Sequence, residues 1–582
     1  MDSLSRNRLP VRHLALTAVS LVVAALVVVM VSPAQGGVAA RPVAAGVRHQ
    51  AAAEDSAATM LRDAARTGTL SGLRWPRFPY YRDELTALYS GVGWQPAWTK
   101  DGRPTPAARG AVDVLSKAEE RGLHPADYDA ALLGRRLEAL ERASTPSAHD
   151  VGWFDVALSV GVLRHVSDVH IGRVNPKNLS VRINVERKKV DLAKELREAI
   201  DQASVAELVG RAEPTFVQYR ALKAAHARYR ALAADSTIPT VKASGTLHRG
   251  DAFASASALR RRLAALGDLS PEPTTGDDTY DDALAGAVAR FQARHGLPPD
   301  SVLGRATLAA VNVPLAKRVR QLELALERIR WLPALDKGPF VVVNVPGFEL
   351  YAFDSLNADG APAVTMNVVV GKAEVGRQTP LFERDMKYIV FRPYWVIPPG
   401  ILRKEILPAI RRDPGYLASH DMEIYSGSGD TGPALPTTSA NLARVSRNEL
   451  GIRRRPGLNN DLGLAKFIFP NDQNVYMHGT PAPALFSRAR RDFSHGCIRL
   501  EDPARFAVWV LRDPNEWSLA QVRKAMDGPQ SRRVDLARPL PVLILYTTAV
   551  VHPDGVVAFY GDVYGHDARL EAILAKGYPF GP

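Results

Sequence analysis

The 582-residue sequence contains one cysteine, Cys497. A single thiol can neither close an internal disulfide nor build a Cys-based zinc cluster. No His-Glu-x-x-His pattern occurs, and no second apolar run equals the one near the N-terminus. The chain also lacks the bias of a disordered protein: 46% of residues are hydrophobic and 23% charged, as in ordinary globular domains. Gly 43 and Pro 42 imply many turns and linkers but no collagen-like repeat. Acidic residues are outnumbered, 61 against 74 basic ones, leaving a formal charge of +13. That excess suits nucleic acid, an anionic membrane or an anionic polymer, and does not choose among them. At roughly 100–200 residues per domain, the length predicts three or four domains.

Arg6, Arg8 and Arg12 precede an uncharged run, Leu14–Val31, after which Ser32 and Ala34 are spaced like a cleavage pair. Residues 1–34 therefore read as a secretory signal or, at 18 apolar residues, as an uncleaved inner-membrane anchor. Either places the remainder outside the inner membrane, in the periplasm or cell wall, which argues against a nucleic-acid partner.

Residues 35–74 are Ala/Gly-rich and read as a linker. From 75 to 240 apolar residues recur at three- and four-residue spacing, as in 107–121, 130–143, 153–169, 192–202 and 215–234, which predicts a helical domain. Residues 245–313 predict a three-helix unit, with Leu259, Leu263 and Leu266 on one face and Val288 and Phe291 on another. After about Phe340 the pattern shortens to β-branched and aromatic runs such as FVVVNV, KYIVF and KFIFP. These predict a β-rich domain over 338–525, sandwich or barrel, followed by a β-rich C-terminal extension over 526–582. Within it, 401–458 is polar and Pro/Gly-rich and reads as an insertion over one end of the sheet.

The chemistry concentrates in VYMHGTPAPALFSRARRDFSHGCIRL. Cys497 follows Ser494, His495 and Gly496 in a turn, and His478 lies 19 residues upstream at a strand end, followed by Gly479. A thiol attacks as its thiolate and needs an imidazole or a positive field beside it. The imidazole must be held in one tautomer, for which a backbone carbonyl suffices. Amides of the turn before Cys497 are candidate oxyanion donors. Two histidines and one cysteine without acidic partners are a poor metal set, so neither metal nor cofactor is expected.

Ser494–Leu500 (SHGCIRL) with His478–Thr480 (HGT) resembles the signature of L,D-transpeptidases, the YkuD-type cysteine enzymes that cross-link peptidoglycan. The resemblance extends over roughly Arg82–Gly565 to the large, scaffold-bearing branch, through YWVIPPGI, RRPGLNNDLGLAKFIFPN and the N-terminal LYSGVGWQPAW. Residues 245–313, with FQ…HGL and G…TL, resemble the peptidoglycan-binding domain that accompanies wall enzymes. The fold implied is multidomain α+β: a mixed β-rich YkuD-type catalytic domain with an inserted capping subdomain, a helical scaffold and a small three-helix peptidoglycan-binding domain.

By position, the resemblance makes Cys497 the nucleophile, His478 the general base and Gly479 the residue whose carbonyl orients it. Ser494, His495 and Gly496 shape the turn. Arg499 anchors the site, and Tyr476 is an oxyanion or substrate contact. Implied partners are a tetrapeptide donor stem, a neighbouring acceptor stem and carbapenem-type β-lactams as inhibitors. The implied reaction expels D-Ala, forms an acyl-thioester and yields a 3→3 cross-link. A non-catalytic wall-binding scaffold, and an acyl-enzyme resolved by water or by a wall protein, are the alternatives. Arg403, Lys404, Arg411, Arg412 and 453–455 are candidates for holding stem carboxylates.

Overall fold

A computed structural model describes residues 57–183, 190–270, 278–333, 335, 338–355 and 361–578. The signal or anchor read over 1–34 lies outside these residues. Among them, no helix is long and apolar enough to cross a membrane.

The first unit is helical. Helix α1 spans 57–67, followed by α2 (Arg82–Ser90) and a short hairpin of β1 (Thr99–Lys100) and β2 (Arg103–Pro104). Then come α3 (Pro106–Ser116), α4 (Ala130–Arg142), α5 (Ala148–Ile171), α6 (Leu192–Asp201), α7 (Val205–Ala212) and α8 (Val217–Ala234). Helix α5 is buried on every side from Val151 to Val169, as expected for the central rod of a bundle. Its N-cap Ser147 accepts from the Asp150 amide, satisfying one of the free first-turn donors. The linker reading needs correction here. Residues 57–67 are helical, and Leu61, Ala64, Ala65, Leu70 and Leu73 are buried in the bundle core. Alanine is the strongest helix former, so the richness that reads as low complexity also favours a helix.

The second unit contains α9 (Ala256–Leu266), α10 (Asp282–Arg294) and α11 (Arg305–Val311). Leu259, Leu263, Val288 and Phe291 are buried between them, as the periodicity predicts. Helix α12 (Leu315–Arg330) leads into the β-rich unit and packs on α8.

That unit is built from β3 (Phe340–Asn344), β4 (Glu349–Phe353), β5 (Val364–Gly371), β6 (Phe382–Phe391), β11 (Ala465–Ile468), β12 (Met477–His478), β13 (Asp492–Ser494), β14 (Ile498–Leu500) and β15 (Arg532–Leu545). The order is β13-β5-β14-β12-β11-β6-β15-β3-β4, and β4 also pairs with β5, so the ladder closes on itself. Closure removes free edges. Strand β15 sits between β6 and β3, antiparallel to one and parallel to the other. The segment after 526 is therefore no extension: its first strand is a stave of the barrel. Among the described residues, the β16 (Ala549–Val551)–β17 (Val557–Phe559) hairpin and α19 (His566–Leu574) are the elements beyond it. Helices α17 (Pro503–Leu511) and α18 (Leu519–Asp527) connect β14 to β15.

The insertion is structured. It holds the short helices α13 (Pro399–Ile401), α14 (Leu407–Arg412), α15 (Tyr416–Ser419) and α16 (Ser439–Ser446), with a π-helical turn at Leu402–Ile406. Its strands β8 (Met422–Tyr425), β9 (Ala434–Leu435) and β10 (Gly451–Arg454) join β7 (Trp395–Val396) in a separate sheet, β7-β10-β8-β9. A core of its own, including Ile406, Leu417, Ile424 and Ile452, holds it together.

Candidate active site

Strand register assembles the site. Lys466 on β11 faces His478 on β12, and His478 faces Arg499 on β14. Directly opposed residues share a sheet face, and residues two apart return to it. Tyr476 therefore shares the face of His478, and Cys497 that of Arg499. The alternate residues Phe467, Met477 and Ile498 are fully buried on the other face. One face of three strands thus supplies packing, and the other presents a lysine, a histidine, an arginine, a tyrosine and the only thiol.

His478 is 4% exposed, and its Nδ1 lies 2.6 Å from the Gly479 carbonyl oxygen. A carbonyl only accepts, so Nδ1 carries the proton and Nε2 keeps its lone pair. The Gly479 amide donates to Ala465 at 3.0 Å, fixing that peptide to β11. Gly463, at φ +61°, lets the neighbouring loop approach: a Cβ there would stand 2.7 Å from the Gly479 carbonyl carbon. Burial, then the Arg499 charge, lower the His478 pKa to about 3.

Cys497 is half-buried, with Sγ 3.8 Å from the Asn474 carbonyl oxygen. Burial pushes the thiol pKa up. Hydrogen bonding from the backbone and hydroxyl of Tyr476, together with the charges of Lys466 and Arg499, opposes that shift. With the thiol raised and the imidazole lowered, both groups rest neutral on the same face of the sheet.

The turn before the thiol is tied internally. Ser494 Oγ donates to the Cys497 carbonyl at 2.5 Å and accepts from the Gly496 amide at 3.1 Å. The Gly496 N–H is thus engaged, which takes it out of the expected oxyanion donors. Gly496 has φ +122°, a conformation glycine adopts without penalty. Thr379 Oγ1 donates to the Gly496 carbonyl at 2.9 Å and accepts from the Gly371 amide at 2.8 Å. His495 points outward, with Nε2 3.0 Å from Glu405 Oε1 of the insertion. Arg499 Nε is buried without a hydrogen-bond partner. Burial lowers its pKa, and Asp461 and Cys497 oppose that.

Three participants escape sequence reasoning. Lys466 Nζ sits 4.1 Å from the centre of the Tyr476 ring, and burial lowers its pKa while Asp430 and Cys497 raise it. Asp430 belongs to the insertion, and its charge also raises the Tyr476 pKa. Thr379 braces the cysteine turn from the β5–β6 connection. The strand KFIFP carries a lysine in an otherwise apolar run, the one signal that could have marked Lys466. Of the basic residues assigned to stem carboxylates, Arg453 is 4% exposed and held by Glu423 at 2.7 Å and the Gly429 carbonyl at 2.8 Å. Arg454 pairs with Asp461 and Arg455 with Asp421. Arg403, Lys404, Arg411 and Arg412 remain exposed. Among the described residues no group of three or more His, Cys, Asp or Glu is placed to hold a metal ion.

Comparison with known families agrees with this architecture. Residues 338–534 match the L,D-transpeptidase catalytic domain, 83–225 a scaffold domain, and 254–311 a domain described as "Putative peptidoglycan binding domain". A protein of Haemophilus influenzae described as "Putative L,D-transpeptidase" is 26% identical over 262 residues, covering 44% of this chain. The match covers 51% of that relative, so the chain spans about half the length of the curated relative it matches. The chain therefore carries an L,D-transpeptidase catalytic domain together with a peptidoglycan-binding domain.

Proposed function

We propose that the protein is a peptidoglycan L,D-transpeptidase that acts outside the inner membrane, as an exported or membrane-anchored enzyme. The observation that carries the reading is a neutral His478 imidazole, fixed by the Gly479 carbonyl with Nε2 left as acceptor, on the sheet face that also bears Cys497. His478 takes the proton as Sγ attacks the carbonyl between the third stem residue and D-Ala. The amine of D-Ala leaves with that proton, and an acyl-thioester remains. The side-chain amine of a neighbouring stem then attacks the thioester, and a 3→3 cross-link forms. The Tyr476 hydroxyl, which hydrogen-bonds the sulfur, would steady the developing oxyanion. Carbapenem-type β-lactams would acylate the same sulfur.

The insertion serves as a cap. Support comes from Glu405 on His495 and from the Asp430 charge felt at Lys466 and Tyr476. A thioester awaiting a dilute amine must be shielded from water, and a covering element does this. Replacing 401–458 by a Gly/Ser linker should leave an alkylatable thiol and shift product from cross-link to hydrolysed tripeptide. Cross-linking at the parent rate would remove the cap from the mechanism. The overall proposal is tested by incubating the protein with tetrapeptide muropeptides and weighing the products. Cross-linked dimer supports it. Free tripeptide alone assigns hydrolysis, and unchanged substrate with an intact thiol assigns a binding scaffold.

A further inference from the structure

Lys466 stands on β11 directly opposite His478, on the sheet face that also bears Tyr476, Arg499 and Cys497. Its Nζ rests over the Tyr476 ring, 4.1 Å from the ring centre. Among the described residues no carboxylate ion-pairs with this ammonium and no acceptor hydrogen-bonds it. Other cations of the same unit are neutralised: Arg453 by Glu423 at 2.7 Å, Arg490 by Asp492 at 2.6 Å, and Arg454 by Asp461. Lys466 is half-buried, and taking an ammonium out of water without a counter-ion is costly. Packing alone would be served at lower cost by an apolar side chain, as Phe467 serves it on the opposite face.

The Tyr476 ring links this cation to the thiol. Its hydroxyl hydrogen-bonds the Cys497 sulfur, and burial, with the Cys497 charge, holds the phenol pKa well above its ordinary value, so the O–H remains a donor. A cation on the ring face is attracted by the π-system and draws electron density away from the hydroxyl, which makes that donor stronger. The charge also bears on both ends of the proton transfer. Burial raises the thiol pKa and lowers that of His478; Lys466 works against the first shift and with the second. Arg499 on β14 acts in the same two senses. Burial lowers the Lys466 pKa, while Asp430 of the insertion and the Cys497 charge hold it up.

We propose that Lys466 is a positioning residue for the thiol chemistry: its ammonium, seated on the Tyr476 ring without a carboxylate of its own, holds the phenol to the sulfur and supplies the counter-charge of the thiolate. As the Sγ–H proton passes to His478 Nε2, the electron pair left on sulfur forms the bond to the donor carbonyl. The same charge makes the imidazolium a stronger acid, and its proton leaves with the departing amine. This place in turnover rests on the transpeptidase reading; the effect on the thiol does not, because alkylation needs no stem peptide. The test is iodoacetamide alkylation of the full chain across pH, read by intact mass, where the single cysteine makes the thiol adduct unambiguous. Lys466→Met should move the alkylation midpoint up by about one pH unit, a roughly tenfold slower reaction at a fixed pH below it, with the limiting rate at high pH retained. Lys466→Arg should recover most of that loss. The acid limb of donor-stem turnover should also move up in Lys466→Met, since the imidazole loses the same neighbouring charge. Lys466→Gln is the second neutral variant should the methionine chain fail to fold. A folded neutral variant that titrates at the parent midpoint, with only its limiting rate or melting temperature changed, would reduce Lys466 to packing and overturn the proposal. So would an arginine variant no better than the methionine one.

Discussion

Asp127 and Asp168 of the helical unit are buried against Arg173, with Asp127 2.6 Å from its Nη1. Trp75 Nε1 donates to Asp127 at 3.1 Å, and the hydroxyls of Tyr128 and Tyr578 donate to Asp168 at 2.7 and 2.6 Å. In the barrel, His478 is as deeply buried but is held only by backbone, Gly479 first and Leu462 with it, and Arg499 keeps an unpartnered Nε. Both regions remove polar groups from water. In the first, several donors converge on the two carboxylates and tie Tyr578 to α5, while Arg173 keeps Nε and Nη2 without hydrogen-bond partners. The second leaves capacity unused on the face where the thiol sits. An unpartnered buried nitrogen does not by itself mark a reaction site, since Arg173 has two and Arg499 one; what sets the second region apart is a thiol and an imidazole on one sheet face.

The contrast breaks most sharply at Cys497. Cys497→Ala should abolish cross-linking and inhibitor adduct formation and leave the melting temperature nearly unchanged. Intact-mass measurement after inhibitor treatment checks this; a stoichiometric adduct on the alanine variant would place the nucleophile elsewhere.

His478 comes next. His478→Ala should slow acylation about 10²–10⁴-fold, the usual contribution of a positioned base. The pH profile sharpens the prediction. The folded imidazole titrates near 3 rather than 6.5, so the parent rate should show no acid limb around pH 6.5. Burial raises the thiol pKa, so iodoacetamide alkylation should climb at higher pH than for a free cysteine. A plateau from about pH 4 to 8 would instead reveal a preformed thiolate–imidazolium pair. The same shift bears on stability. Between 6.5 and about 3 the unfolded chain binds a proton that folded His478 refuses, so stability falls as pH falls through that window.

In the helical unit the order of effects reverses. Asp127→Ala leaves Arg173 buried with a poorer partner, Asp168 at 3.9 Å, and should cost about 3–5 kcal/mol of stability. Per folded molecule, thiol alkylation should not change. Denaturant melts read alongside alkylation rates separate the two; a slower thiol in fully folded protein would mean the Asp127–Arg173 cluster also governs the site.

How far these differences are legible in the sequence depends on contact range. Cys497, Ser494 and Gly496 fall in one short turn, and His478 is joined to Gly479 by a single peptide bond, so a local motif captures them. The bundle helices show in their periodicity because each buries a continuous stripe. Strand β15 does not show, because its place between β6 and β3 is set by partners some 150–200 residues upstream. Lys466 is hidden for the same reason: its role comes from register with His478, not from its neighbours in KFIFP. Helix α1 is masked by composition, since alanine serves both linkers and helices.

The smallest expected effect lies where the insertion meets the site. Glu405 sits in the π-helical turn Leu402–Ile406, a local widening often found at functional positions. Its Oε1 lies 3.0 Å from His495 Nε2 and 3.7 Å from Arg377 Nη2. Both Glu405 and His495 are well exposed, so the contact should contribute only roughly 0.2–1 kcal/mol to folding. Glu405→Gln keeps the size and one acceptor oxygen but removes the charge. Melting should therefore barely move. What should move is product partition, because Glu405 joins the insertion to the turn that carries Cys497. Loosening that joint admits water to the acyl-thioester more often, so hydrolysed tripeptide should rise relative to cross-linked dimer by a few-fold; high salt should push the parent the same way by screening the contact and should hardly affect the variant. Total turnover of the donor stem should stay within about twofold of the parent, since the proton acceptor and nucleophile are untouched. A variant with unchanged partition at every salt concentration would show that the His495–Glu405 contact is incidental, and that the insertion is held by its own core and the β7–β10 ladder alone.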